Sequence, residues 1–568
     1  MDRSSPRIIG GAIAAVALIA LGVSALPADA ATFTVTTTAD LVDPGDGVLS
    51  LREAVDGANA SAGDDVIVLP AGTHTLTIPG AGANNDNTGG DLDHLDTGQL
   101  TIRGAGLDVT NIDAAGLSDR ILDMRAGALV LEDLTIRNGD VDAGGGAVRS
   151  IGSLTATRLA VTDNAATDGG GGLRVAGTAF ITGSRLDGND SGNNGGAVRV
   201  AGGSTIVDSV LTDNTAANAG GAVYSPGATD LTRTVFDTNS AGANGGGLWT
   251  TDAPLSIADS TFRDNQAGGN GGALRAQDPT TTITGSTFAG NTAPVAGGAI
   301  RQRHGSTSIT NSTFDANTAA DGGALWMRDI AATLTHVTVA GGGSTGDGAV
   351  RAADGSTVTL AATVIAPGSG RACALSGSVI SNGSNAATDA SCGLTDVSDQ
   401  DGTAVPDLRA LADNGGTTQT RLPGASSTLT DAGTCAAATD QRGIGRPQGA
   451  QCETGAVELR IPVPQPDAAT TPQDAAVNVD VTDNDTVFDG HVDLSSAATT
   501  AGPSNGSTAD VGDGTITYTP LPGWWGTDTF TYELCGPGES SCNTAVATIT
   551  VSAAPTTTTT TTVPSTTT

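Results

Sequence analysis

From about residue 146 the chain repeats one apolar–polar phrase. A Gly-Gly-small-apolar motif places its second glycine at Gly146, Gly171, Gly196, Gly221, Gly246, Gly272, Gly298, Gly323 and, degraded, Gly348, so it recurs every 25 or 26 residues. An apolar-x-x-Asn motif keeps phase with it at Asn164, Asn189, Asn214, Asn239, Asn265, Asn291 and Asn317. Two independent motifs holding one period specify a repeat architecture. Short β-prone runs such as Thr205-Ile206-Val207 and Thr282-Ile283-Thr284 alternate with Gly-rich turns, while the fixed leucines of leucine-rich repeats and the helix formers of helical repeats are missing. Three short strands and three turns, one coil of a parallel β-helix, consume about this length. The expected fold is therefore all-β: a right-handed parallel β-helix with an amino-terminal helical cap, followed by an Ig-like β-sandwich.

Stacking coils at about 4.8 Å turns the period into columns. Val148, Leu173, Val198, Val223, Leu248, Leu274, Ile300, Leu325 and Val350 are always apolar and face inward. Val161, Leu186, Leu211, Phe236, Phe262, Phe288 and Phe314 form a second inward column, and the asparagines are expected to stack as a structural amide ladder. The residues after the first column must then face outward. They are Arg149, Arg174, Arg199, Tyr224, Trp249, Arg275, Arg301, Trp326 and Arg351, a candidate platform for an extended acidic glycan whose rings would stack on the aromatics. The competing expectation is a self-stacked ladder in which Arg covers the aromatic faces and nothing binds.

Outside the repeat the pattern changes several times. Residues 1–30 read as an export signal, with Arg3 and Arg7 before an apolar run and Ala28-Asp29-Ala30 as the cleavage site. Residues 31–125 are expected to form a cap and the first coils, with Ser50-Leu51-Arg52-Glu53 as a capping box opening a short helix. The repeats proper are placed at 126–365 and a cysteine-bearing closing segment at 366–460. Alternating strands over 461–553 suggest the sandwich, and 554–568 is a Thr-rich tail. Six cysteines, Cys373, Cys392, Cys435, Cys452, Cys535 and Cys542, are disulfide candidates. Of fifteen possible connectivities, sequential pairing is favoured because each pair closes a short loop.

Composition narrows function further. The 568 residues carry a net charge of −35 and 81 glycines, and all 25 basic residues are arginine. An acidic chain with no basic cluster in its sequence argues against nucleic-acid binding, and the absence of Lys excludes Lys-based catalysis. No triplet period accompanies the glycines, which excludes collagen. Catalysis by a β-helix needs paired carboxylates or a base on neighbouring coils. Asp163, Asp213 and Asp264 alternate with Thr, Gly or Ala at their position, which points to turn chemistry, and His304 is the only histidine of the array lying beside basic residues. In the sandwich Asp483, Asp485 and Asp489, with Asn484, could hold Ca²⁺. No other cofactor is expected.

Four segments resemble known families. Phe33-Thr34-Val35 and Leu49-Ser50-Leu51-Arg52-Glu53-Ala54 resemble the CSLREA domain of secreted bacterial β-helix proteins, with Leu49 in place of that family's cysteine. Phe288-Ala289-Gly290-Asn291 with Gly297-Gly298-Ala299-Ile300 is similar to repeats of polymorphic outer-membrane proteins. Asp440-Gln441-Arg442-Gly443 and Cys452-Glu453-Thr454-Gly455-Ala456 resemble the choice-of-anchor Q module, while Gly523-Trp524-Trp525-Gly526 and its flanks resemble bacterial Ig-like or cadherin-like domains. These resemblances imply a secreted or cell-surface, adhesin-like protein that binds an extracellular polysaccharide, monomeric and without a membrane span once its signal is removed. The alternatives are a polysaccharide lyase or glycoside hydrolase and a non-binding spacer.

Overall fold

A computed structural model describes residues 30–80, 87–277, 280–404, 406–424, 427–460, 462–485, 494–535 and 542–555. The expected export signal (Ala30 apart) and the Thr-rich tail from residue 556 fall outside them. One coil shows how the repeat folds. Leu173–Val175 forms the first strand, Ala179–Thr182 the second and Arg185–Asp187 the third. Left-handed corners at Gly183 and Gly188 end the second and third strands (φ +58° and +64°). Asn189 and the short strand Asp190–Ser191 then lead to the next Gly-Gly pair. Every strand pairs in parallel with its counterpart one coil away, as in Leu173↔Val198 and Ile181↔Ile206. The outcome is a parallel solenoid whose first strands form one twelve-stranded sheet.

The two glycines of the repeat serve different ends. Gly170 adopts φ +75°, which an L-residue reaches only with strain. At Gly171 a Cβ would lie 2.2 Å from the Asp190 carbonyl oxygen and 2.5 Å from that of Gly196, so the side chain is excluded by neighbouring backbone.

Inside, the columns are narrow and dry. Val148, Leu173, Val198, Val223, Leu248 and Leu274 have no measurable exposure, and each such side chain contributes roughly 1.5–3 kcal/mol through burial. Phe236, Phe262, Phe288 and Phe314 stack face to face at 4.5–4.9 Å. Beside them Asn164 Nδ2 donates to Asn189 Oδ1, Asn189 to Asn214, and so on to Asn317, at 2.9–3.0 Å. A second polar column runs at another corner. There the hydroxyls of Ser184, Ser209, Ser260, Ser286 and Ser312 each accept the backbone N–H of the preceding coil.

Both ends of the solenoid are closed. Helix Leu51–Ala60 starts at a complete capping box between Ser50 and Glu53 and buries Leu51, Ala54, Val55 and Ala58. Its Arg52 is also buried. It forks onto Asp40 at 2.7 and 3.1 Å and donates to the Gly90 carbonyl at 2.9 Å, tying the helix to the first coils. At the other end parallel stacking continues past residue 365, where the sequence period fades, through Cys373–Leu375 and Ser378–Ser381. The closing segment beyond them folds back along the coils. Arg421 pairs with Asp315 at 2.6 Å, Asn311 donates to Thr439 O at 2.7 Å, and Thr313 donates to Gln441 at 2.6 Å. Buried His336 accepts the Ala436 N–H on Nε2 and lies 3.2 Å from the Gly455 carbonyl on Nδ1.

The cysteines pair in sequence order, Cys373–Cys392, Cys435–Cys452 and Cys535–Cys542. The last third holds an Ig-like domain of two sheets. One is built on the antiparallel pair Gly526–Cys535 and Cys542–Ser552, the other on Thr515–Pro520. Tyr518, Phe530, Tyr532 and Ile549 share its core.

Candidate functional site

Alternation along the first strand of each coil creates the outward ladder. In Leu173–Val175 the flanking Leu173 and Val175 are buried, so Arg174 projects to the opposite face. Strand register carries that orientation from coil to coil. Arg149, Arg174, Arg199, Tyr224, Trp249, Arg275, Arg301, Trp326 and Arg351 are consecutive partners in one column.

The aromatics in this column are sandwiched. Tyr224 and Trp249 stack at 4.5 Å with planes 4° apart. Arg199 covers Tyr224 at 5.9 Å, Arg275 covers Trp249 at 5.8 Å, and Arg301 lies 4.5 Å from the Trp326 ring centre. Trp326 is only 8% exposed, packed against Ala296 and Ala353, with its indole N–H on Asp321 at 2.8 Å. A sugar ring stacking on these faces would have to displace the arginine or aromatic neighbour already there. Coils one β-sheet spacing apart bring neighbouring side chains to stacking distance of each other.

The charges along the ladder are unevenly compensated. Arg149 is 3.0 Å from Asp123, Arg174 is 2.7 Å from Asp168, and Arg199 is 3.9 Å from the same Asp168. These three arginines and Tyr224 line a groove of about 310 Å³ that also meets Ile151 and Pro226. Arg351 lies 3.6 Å from Asp321. Burial pushes Arg275 below its usual value, with Arg303 adding repulsion. Arg301 is pushed down to about 10 by burial and by Arg275, Arg303 and Arg328.

One part of the site was not foreseen from the sequence. Register extends the column upstream through Asp123 and Asp93. With Asp91 they bring three buried carboxylates within 4.8 Å of one another. Arg120 faces Asp91 at 2.8 Å, Arg125 faces Asp93 at 3.0 Å and Asp123 at 3.1 Å. Burial, then Asp119 and Asp93, push Asp91 up to about 7, and burial also raises Asp93. The available signal was Gly89-Gly90 ahead of Leu92, the same glycine pair as in the repeat. It falls out of phase because Leu92 pairs with Leu122, thirty residues away (122 − 92), instead of 25 or 26.

The other candidates separate. Asp163, Asp213 and Asp264 sit at left-handed corners with φ of 52–55°, the position held by Gly188, Thr238, Gly290 and Ala316 in neighbouring coils. This is turn chemistry. His304, half-exposed, lies 3.7 Å from Asp329. In the Ig-like domain Asp485 accepts the Gln465 N–H at 2.6 Å and Asp483 is exposed, while Asp489 lies outside the described residues. Within the closing segment, Arg442 pairs with Asp440 and Arg446 with Glu458. These four side chains are almost fully buried and form an internal polar core, in which burial and neighbouring Glu458 push the Glu453 carboxyl upward.

Among the described residues no helix is long and apolar enough to cross a membrane. Residues 460–552 match the family model of a bacterial Ig domain, and residues 259–277 match the Chlamydia polymorphic membrane protein repeat. No curated protein and no solved structure matches the chain. The two partial matches and the parallel solenoid fit a β-helix repeat protein of the surface type carrying an Ig-like domain.

Proposed function

We propose that this chain is a secreted or surface-attached, adhesin-like protein that binds an acidic extracellular glycan along the outward ladder. The observation that carries the reading is the ladder itself. Arginine and aromatic residues occupy one column over nine coils of a chain whose net charge is −35, and a groove lined by Arg149, Arg174, Arg199 and Tyr224 runs along it. Polymers with periodic negative charge match such a column, because guanidinium groups fork onto carboxylate or sulfate oxygens. Three disulfides suit an oxidising, extracellular setting.

A second reading, a spacer whose ladder binds only itself, draws support from the sandwiched rings of Tyr224 and Trp249. Affinity electrophoresis in gels containing uronic-acid, sulfated or neutral polysaccharides separates the two. Glycan binding requires retardation of the wild type by an acidic polymer and its loss in a folded Arg174→Gln/Trp249→Ala variant; unchanged retardation of that variant sinks it. The hydrolase alternative rests on Asp91, Asp93 and Asp123. Their burial and ion pairing favour a structural role, and new reducing ends after incubation with the same polymers would reverse that judgement.

A further inference from the structure

Most described arginines of the solenoid face a carboxylate, but one patch does not obey that rule. Arg275 and Arg301 are adjacent in the ladder, and Arg303 lies two residues along the strand Ile300–Arg303, on the same outward face. Among the described residues none of the three has a carboxylate within the 4.0 Å of an ion pair. The Nε atoms of all three are shielded from solvent and make no hydrogen bond. Trp249 flanks Arg275 at 5.8 Å and Trp326 flanks Arg301 at 4.5 Å, so two like-charged guanidinium groups stand side by side between two indoles. The indoles and one hydrogen bond, from Arg275 to Gln277 at 3.2 Å, are the partners of this like-charged pair. Arg328, on the next coil, extends the patch and is 3.4 Å from Asp329.

We propose that Arg275, Arg301 and Arg303 form an anion subsite that holds one carboxylate or sulfate group of an acidic saccharide, the two indoles clamping the guanidinium pair. The subsite rests on the glycan-binding reading for its source of anions, but not for its chemistry. Both groups offer oxygens able to bridge adjacent guanidinium forks. The lowered proton affinity of Arg301 agrees with a cation awaiting a counter-charge.

The full chain is titrated calorimetrically at low salt with an oligogalacturonate and with a sulfated oligosaccharide, in the wild type, Arg301→Gln, Arg303→Gln and Arg174→Gln. In parallel, melting temperatures are recorded in sulfate and in chloride at matched ionic strength. The subsite predicts at least a tenfold loss of affinity in Arg301→Gln and Arg303→Gln for the preferred polymer, whose identity tells carboxylate from sulfate. It also predicts a sulfate-specific rise in melting temperature that the wild type shows and Arg301→Gln lacks. Binding lost in Arg174→Gln but kept in Arg301→Gln overturns the subsite and leaves glycan binding standing. If neither oligosaccharide binds while the sulfate effect persists and depends on Arg301, the subsite stands and the glycan reading falls. Absence of both effects overturns both.

Discussion

Replacing Asn214 by Ala tests the energetics of the amide ladder, because the structure gives each rung a countable set of partners. Asn214 Oδ1 accepts the Asn189 backbone N–H at 3.1 Å and its side-chain amide at 2.9 Å. Its Nδ2 donates to Leu186 O, Thr212 O and Asn239 Oδ1 at 2.8–2.9 Å. Alanine therefore strands the buried Asn189 N–H, which costs about 1–3 kcal/mol, and removes one amide–amide bond worth about 0.5–1.5 kcal/mol, while Asn189 Nδ2 keeps Val161 O and Asp187 O at 2.9 and 3.2 Å. Asn164, at the start of the ladder, is equally buried and makes the same kinds of donation, but its Oδ1 accepts only the Gly139 N–H at 2.9 Å. Asn164→Ala strands one donor. The expected losses are roughly 1.5–4.5 kcal/mol for Asn214→Ala and about 1–3 kcal/mol for Asn164→Ala. Urea titration followed by far-UV circular dichroism reads both, provided the slopes of the transitions agree. Equal shifts at the two positions, or a loss below about 1 kcal/mol at Asn214, would show that the rung's neighbours and solvent replace the lost partners and that counting hydrogen bonds is the wrong arithmetic here.

Three other outcomes rest on the same geometry. Gly171→Ala should cost about 3 kcal/mol or more, since its Cβ meets backbone oxygens at 2.2 and 2.5 Å, whereas Gly47→Ala, at φ +87° with nothing within 4 Å, should cost only about 1–2 kcal/mol of backbone strain; comparable melting temperatures would refute the packing argument. Burial, reinforced by Arg446, pushes His336 down to about 4 from 6.5. The unfolded chain then binds the extra proton between those pH values, so stability is intact above pH 6.5 and falls by about 3 kcal/mol as pH drops toward 4. A His336→Gln variant should lose that part of the pH dependence, and identical profiles would exclude His336 as its source. Removing Cys373 and Cys392 together, which opens a link of sequence separation 19, should lower stability by about 3 kcal/mol, visible as a lower urea midpoint and absent if the closing coil is already held by its hydrogen bonds.

Column membership was legible in the sequence, because stacking makes residues 25 or 26 apart into neighbours and any strictly periodic position becomes a ladder. That logic places Val148 above Leu173, Phe262 above Phe288 and Asn239 above Asn265, and the capping box at Ser50 needs only a local pattern. The hydroxyl column at Ser184, Ser209 and Ser260 has the same period but was hidden by the commonness of Ser and Thr in this chain. Two properties of the candidate site are not carried by period at all. One is the direction of a side chain along the solenoid axis, which decides whether Trp249 offers a face to a ligand or to Tyr224. The other is charge compensation, which depends on turn residues such as Asp168 lying six positions from Arg174 (174 − 168) and on irregular early coils that put Asp123 beside Arg149. A row of arginines reads the same in sequence whether its charge is spent or free. Only the partners distinguish Arg149, held by a buried carboxylate, from Arg301, which has an indole on one side and another arginine on the other. The ladder is therefore one structural column but two chemical kinds of rung, and any ligand that reads charge should separate paired Arg149, Arg174 and Arg351 from Arg275 and Arg301, which face no described carboxylate.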